Sequence, residues 1–268
     1  MKINLVGKTA LICASTKGLG FACAKNLGSA GCDIILTGRS DENLVVAKKE
    51  IELFLSSINV SISIFTLRVD LNDMKNVVDM FDALKNHNPI DILILNSGGP
   101  APGDFDSFDS IVDFEKKCSE ITYPATYLIQ HLLPSMRSRG FGRIINISSM
   151  GLAKPITGLA VSNASRAHLA GLMTGIANEN ASYGITLNTI LPGVIWTDRQ
   201  LLLTENDAKN LGITVEEMIE RKSSSMPSGE MGKPDDVGTL ATFLSSAEAN
   251  YINSQCIAVD GGLLGLLR

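Results

Sequence analysis

Short apolar runs alternate along the chain with longer segments whose apolar residues recur every three or four positions. TALICA (Thr9–Ala14) is an apolar run before a glycine turn and reads as a buried strand. Leu19–Ala30 has helical spacing and stops at Gly31, a C-terminal cap. DIILTG (Asp33–Gly38) is a second strand, and Asp41 caps a polar-faced helix that runs to about Ser57. SISIFTLRVDL supplies a third strand; Asp73 opens a helix that Asn88-Pro89 closes. Further strands are predicted at DILILN, RIINIS, ITLNTIL and QCIAVDGG, with helices around Lys116–Arg139, Asn163–Ser182 and Pro234–Ser245. Strands this apolar must be covered on both faces. The expected fold is therefore α/β, a doubly wound parallel sheet flanked by helices, as one domain over residues 1–268. There is no internal repeat and no low-complexity linker.

One stretch departs from this rhythm. Asp198–Pro227 is polar and rich in Glu and Ser, between the sixth strand and the last long helix. It reads as a small helical lid inserted over a site. Its Leu201, Leu202, Leu203, Leu211, Ile213, Met218 and Ile219 either face an apolar substrate or pack the lid down.

Composition narrows the function classes. A formal net charge of −5 gives no electrostatic reason to expect nucleic acid or an anionic membrane. Cys13, Cys23, Cys32, Cys118 and Cys256 show no metal spacing, and an odd count points to free thiols in a reducing compartment. His87, His131 and His168 are scattered, so no metal is expected. No apolar run approaches a membrane span, the N-terminus lacks a signal-peptide core, and the expected location is the cytosol.

The first turn has the makings of a phosphate cradle. ASTKGLGFA, with Ser15, Lys17, Gly18, Leu19 and Gly20, follows the first strand and opens a helix. Gly18 and Gly20 allow a tight turn and close approach of a pyrophosphate, and the helix N-terminus offers unpaired N–H groups. The end of the second strand bears on cofactor choice. A carboxylate there would accept the ribose hydroxyls of NAD, but this chain has Gly38 and Arg39. With Lys17 in the turn, two cations would attract a 2′-phosphate, which favours NADP(H) over NAD(H). The alternative is that both are merely solvated charges.

These motifs resemble those of the short-chain dehydrogenase/reductase superfamily, in its 3-oxoacyl-[acyl-carrier-protein] reductase-like flavour. The family's TGxxxGxG turn falls on Cys13–Gly20, with Cys13 and Ala14 replacing Thr and the first Gly. ILNSGG retains Asn96 and Gly98 of the family's NNAG stretch. Asp70, with Leu71 beside it, stands where the family contacts adenine. PGVIWT supplies Pro192, Gly193 and Thr197 of the loop that holds the nicotinamide carboxamide. The resemblance covers essentially the whole chain. It implies a Rossmann-type fold, an NAD(P)(H) cofactor, a small-molecule carbonyl/alcohol substrate such as a 3-oxoacyl thioester, and a homodimer or homotetramer built through the two long central helices.

The pattern breaks at the family's catalytic residues. The family's Ser is present as Ser149, but thirteen residues on, the Tyr position holds Ser162, and the Lys four beyond that is Arg166. The spacing puts both on one helix face. Arg166 can take over the ribose hydrogen bonds, but a guanidinium stays charged and is no proton donor at neutral pH. A serine hydroxyl is a far weaker acid than a phenol, and shorter by a ring. The helical Asn of the family's proton relay aligns with Ile121. Candidate donors are Lys154 in the loop after Ser149, Ser149 with a water held by Ser162, and Tyr123. Three readings stay open: a reductase with a relocated acid, an NADP(H)-binding sensor or subunit with little chemistry, and a dehydratase or isomerase built on the same site.

Overall fold

The computed structural model describes residues 3–84, 87, 89–99, 103 and 110–265. In chain order the elements are β1 (Thr9–Ile12), α1 (Gly18–Ser29), β2 (Asp33–Gly38), α2 (Asp41–Ser57), β3 (Ile64–Arg68), α3 (Met74–Leu84), β4 (Ile92–Leu95) and α4 (Ile111–Arg139). There follow β5 (Gly142–Ile147), α5 (Ala160–Asn180), β6 (Ile185–Pro192), α6 (Asp198–Leu211), α7 (Val215–Ser225), α8 (Pro234–Leu244) and β7 (Cys256–Val259). The strands form one parallel sheet in the order β3-β2-β1-β4-β5-β6-β7.

The order reverses at β1, which pairs with β2 on one side (Ile12 beside Leu36) and with β4 on the other (Ile12 beside Ile94). A crevice opens there at the carboxyl ends of the strands, where ligands bind such sheets.

Strand periodicity divides the core between the two faces. Ala10, Ile12, Ile34, Leu36, Ile92 and Ile94 pack on the side of α1, α2 and α8. Leu11, Ile35, Leu93 and Leu95 pack on the side of α3, α4 and α5. Alternate residues enter opposite faces and both faces are buried at β1, β2 and β4, so these central strands read as nearly unbroken apolar runs. Each fully buried Leu or Ile contributes about 1.5–3 kcal/mol.

The element ends differ from expectation where a cap decides. Ser40, not Asp41, caps α2: its Oγ accepts from the Asn43 amide at 3.2 Å. Helix α4 starts at Ile111 and α5 at Ala160, both ahead of the expected Lys116 and Asn163. Helix α3 ends at Leu84; Asn88, expected to help close it, lies outside the described residues. The expected lid is a helix pair. Helices α6 and α7 meet at Gly212 (φ 65°), and Thr214 and Glu217 form a capping box that starts α7. Lys222 of α7 ties the pair together, reaching Asp207 at 2.8 Å and Thr204 at 3.1 Å.

Candidate active site

The turn after β1 is braced from three sides. Ala14 sits in the left-handed region at φ 46°, where a Cβ is costly. Its amide donates to Thr37 Oγ1 at 3.1 Å, and its carbonyl accepts from Asn96 Nδ2 at 3.1 Å. The methyl anticipated at this position is thus accommodated, but in a strained conformation. Ser15 is fully buried; its Oγ donates to the Ile12 carbonyl and accepts from the Thr37 amide. That hydroxyl is engaged with the sheet. Gly20 is obligatory: a Cβ there would strike the Ala14 carbonyl and lie 2.8 Å from Asn96 Nδ2.

Beyond the turn, the first amides of α1 lack intrahelical acceptors. Lys17 and Arg39 are both exposed. Gly38 is also tight, with Thr16 Cγ2 2.6 Å from where a Cβ would be. Arg68, at the end of β3 and paired in register with Gly38, adds a third cation beside this rim, 3.5 Å from Asp41. Asp70 and Leu71 follow β3 half-buried, and Asp70 Oδ1 accepts from the Asn72 amide.

The loop after β6 reaches across to this turn. Thr197 Cγ2 lies 3.7 Å from where a Cβ of Gly18 would be, while Thr197 Oγ1 caps α6 by accepting from the Gln200 amide at 3.2 Å. Pro192 ends β6. Gly193 packs on the last strand, where a Cβ would meet Asp260 Cβ at 2.7 Å.

The pair at the family's catalytic positions is in contact. Arg166 Nε donates to Ser162 Oγ at 3.3 Å and Nη1 to the Ile147 carbonyl, at the end of β5, at 3.4 Å. A Cβ on Gly99 would lie 3.1 Å from Arg166 Nη2, 3.6 Å from Ser162 Oγ and 3.6 Å from Ile121 Cδ1. The glycine therefore roofs the pair. Burial, followed by the nearby Arg199 charge, pulls the Arg166 guanidinium down to about 10, so it is still charged at pH 7. Ser149 caps a short 3-10 turn, its Oγ accepting from the Gly151 amide at 3.1 Å. Lys154 lies just past that turn, exposed to solvent. Tyr123 is 61% exposed on α4 instead of packed against its neighbours.

The model of the family described as enoyl-(acyl carrier protein) reductase matches residues 13–264. The chain belongs to that family, and so to the short-chain dehydrogenase/reductases. A 3-oxoacyl-[acyl-carrier-protein] reductase FabG of Rickettsia conorii is 32% identical over 98% of this chain and 99% of its own length. The NADPH-dependent reductase BacG of Bacillus subtilis is 28% identical over 95% of this chain and 97% of its own. The crystal structure of YwfH, an NADPH-dependent reductase involved in bacilysin biosynthesis, superposes with a TM-score of 0.89 at 28% identity, covering 97% and 99% of the two chains.

In this short-chain dehydrogenase/reductase two further residues belong to the site. Asn146 of β5, 4% exposed, has an Nδ2 with no partner among the described residues. It lines a cavity of about 20 Å³ together with Cys13, Asn96, Ser97 and Ile121. That volume holds one water. Arg199, the second residue of α6, donates from Nη1 to the Gly98 carbonyl and so ties the lid to the loop after β4. A cation two residues past Thr197 was the only signal in the sequence; its reach back to Gly98 is tertiary.

The expected apolar stripe of the lid is split. Leu201, Ile213, Met218 and Ile219 are half-buried, while Leu202, Leu203 and Leu211 are exposed. Cys13, Cys23 and Cys32 are buried, and burial pushes the Cys13 and Cys23 thiols up to about 12. His87 and His131 make ring contacts with Phe65 and Tyr127. Among the described residues, no helix is long and apolar enough to cross a membrane.

Proposed function

We propose that the chain is an NADP(H)-dependent oxidoreductase that interconverts a carbonyl and an alcohol, with a non-standard proton donor. The observation that carries this reading is the contact of Arg166 with Ser162 beneath Gly99, beside an intact glycine turn. The residues fit the cofactor: Gly20 and Gly38 leave no room for a Cβ, and the open α1 N-terminus lies beside Gly20. The printed descriptions of BacG and YwfH as NADPH-dependent add support.

When bound, NADPH supplies the hydride. Lys17 and Arg39 would hold its 2′-phosphate, the amides of Gly18, Leu19 and Gly20 its pyrophosphate, and Asp70 and Leu71 would flank its adenine. Asn96, Gly98, Pro192, Gly193 and Thr197 would line the nicotinamide end, and Arg166 would hold the ribose.

Ser149 and Ser162 each accept a hydrogen bond already, from Gly151 N and Arg166 Nε, so each hydroxyl hydrogen is left to donate to the substrate oxygen. Arg166 places a fixed positive charge beside the developing alkoxide. An alkoxide is about as basic as a deprotonated serine. Proton transfer from the Ser162 hydroxyl, replenished from a solvent water, is therefore close to balanced in energy.

A homodimer or homotetramer through α4 and α5 accompanies this reading and is checked by light scattering. Single-turnover oxidation of NADPH against a panel of carbonyl compounds tests the chemistry, alongside NADPH binding. Oxidation with at least one of them is the expected result. Tight NADPH binding with no oxidation by any member would instead favour a cofactor-binding sensor or subunit, the reading that the missing phenol at Ser162 supports.

A further inference from the structure

Ser149 and Ser162 come from different segments, one from the loop after β5 and one from the first turn of α5. Their hydroxyls can address one substrate oxygen only if that loop is held against the helix. The residue after Ser162 makes the link. Asn163, half-buried, donates from Nδ2 to the Ile156 carbonyl at 3.1 Å. Among the described residues this is the one side-chain hydrogen bond from α5 to the loop 149–159. The Asn163 amide itself donates to the Leu159 carbonyl at 2.8 Å, so the side chain springs from fixed backbone.

The other end of the carboxamide bears on Gly151. A Cβ built on that glycine would lie 2.6 Å from Asn163 Oδ1, 3.4 Å from Ser149 Oγ and 3.5 Å from Ile156 Cδ1. Gly151 is buried, and its amide donates to Ser149 Oγ at 3.1 Å. Contact therefore runs from Asn163 through Gly151 to the Ser149 hydroxyl. The remaining backbone bonds of the loop are mostly local: Leu152 to Ser149, Ala153 and Lys154 to Met150, Leu159 to Ile156. The Gly158 carbonyl also accepts from the Gly103 amide. These bonds shape the loop but do not tie it to α5, and Lys154, Pro155, Ile156 and Thr157 are exposed.

We propose that Asn163 is a positioning residue for the carbonyl chemistry. By holding Ile156 and bearing on Gly151, it sets the direction in which the Ser149 hydroxyl donates, in step with Ser162 one position before it. This rests on the reading of the same site as carbonyl-reducing. Hydrogen bonds weaken steeply off line, and a misplacement of about 1 Å can cost about 10²-fold in rate.

Asn163→Ala and Asn163→Leu in the full chain test it. Alanine and leucine are better helix formers than asparagine, so α5 should persist in both. Leucine also keeps most of the bulk while removing the hydrogen bond. Deuterium uptake by the loop 149–159, read by mass spectrometry, should rise about tenfold or more in each variant, with uptake in β4 and β6 unchanged. Single-turnover oxidation of NADPH, by a carbonyl compound that the native chain reduces, should slow about tenfold or more, with NADPH affinity changed less than about threefold. In a Ser149→Ala background, Asn163→Ala should cost nothing further, because a residue that acts through Ser149 then has nothing to act on. Unchanged loop uptake in either variant, additive losses in the double variant, or a parallel loss of NADPH affinity would overturn the proposal. Native rate in Asn163→Leu would overturn it as well, since bulk alone would then suffice. If the native chain reduces no carbonyl compound, the reductase reading fails, and loop uptake still decides whether Asn163 holds the segment that carries Ser149.

Discussion

Asn96 Nδ2 holds the carbonyl of Ala14 at 3.1 Å, and Ala14 is an alanine in a left-handed conformation at φ 46°. The loop after β4 thus braces the strained turn after β1, and the two sides of the crevice are mechanically joined. A left-handed alanine costs roughly 1–2 kcal/mol. Ala14→Gly removes that strain, while the freer glycine costs the folded state about 0.4–1 kcal/mol. The net expectation is a gain of up to about 1.5 kcal/mol in urea unfolding, with NADPH affinity unchanged. Asn96→Ala should do the opposite, destabilising by about 1–3 kcal/mol and weakening NADPH, because it leaves the Ala14 carbonyl unpaired. A destabilised Ala14→Gly variant would show that the turn is not strained in solution.

NADPH should bind at least tenfold more tightly than NADH in a fluorescence titration, since Lys17 and Arg39 are exposed cations without ion-pair partners among the described residues. Arg39→Asp should narrow or invert this preference by repelling the 2′-phosphate. Equal affinities in the native chain would refute the assignment, and loss of both affinities together would make Arg39 structural.

Arg166→Ala should weaken cofactor binding by about 1.5–3 kcal/mol for each charge-assisted hydrogen bond it made. The pH dependence follows from the lowered pKa of Arg166. The guanidinium is charged below about 10 and loses its proton above it, earlier than an exposed arginine. Reduction should therefore fall as pH rises through about 10, and Arg166→Lys should retain a charge-dependent rate with a shifted fall. A rate flat through that range would remove Arg166 from the chemistry.

Ser162→Ala should slow single-turnover reduction about 10²-fold, at the lower end of what a general acid supplies, while Lys154→Ala should change it less than threefold because Lys154 is exposed beyond the 3-10 turn. Restoring Tyr at 162 with Lys at 166 should be neutral or harmful, since Ile121 and Gly99 close around the present pair. A large loss in Lys154→Ala with no effect of Ser162→Ala would move the donor to Lys154.

At pH 8 a small thiol reagent should label Cys256, which is exposed, and then Cys118, which is half-buried. Cys13, Cys23 and Cys32 should react only after denaturation. Their burial both excludes the reagent and raises their pKa, for Cys13 and Cys23 to about 12, so almost no thiolate exists at pH 8. Early labelling of Cys13 would mean that the crevice opens beyond the conformation described.

Much of the fold could be read from local order, because a parallel strand buried on both faces is mostly apolar. Thr9–Ile12 and Ile92–Leu95 therefore stand out without any partner being known. The strand–turn–helix setting of Gly18 and Gly20 was equally local, as were the absence of a phenol at Ser162 and the spacing of Ser162 to Arg166. Long-range contact decided the rest. RIINIS begins with an arginine, a residue type rarely buried unless it is paired. Yet Arg143 is 1% exposed, because the carbonyls of Gly142, Gly184 and Ser246 and the Asn250 side chain converge on it from three segments. Ser15 stands in the glycine turn, but only the arrival of β2 beside it engages its hydroxyl. Arg199 sits in a stretch readable only as polar and helical; its bond to the Gly98 carbonyl exists because the loop after β4 and the lid meet at the carboxyl end of the sheet. Residue type and spacing set which groups are available to a neighbour. Which neighbours arrive is set by the packing of elements distant in the chain, since hydrogen bonds and charges act through space.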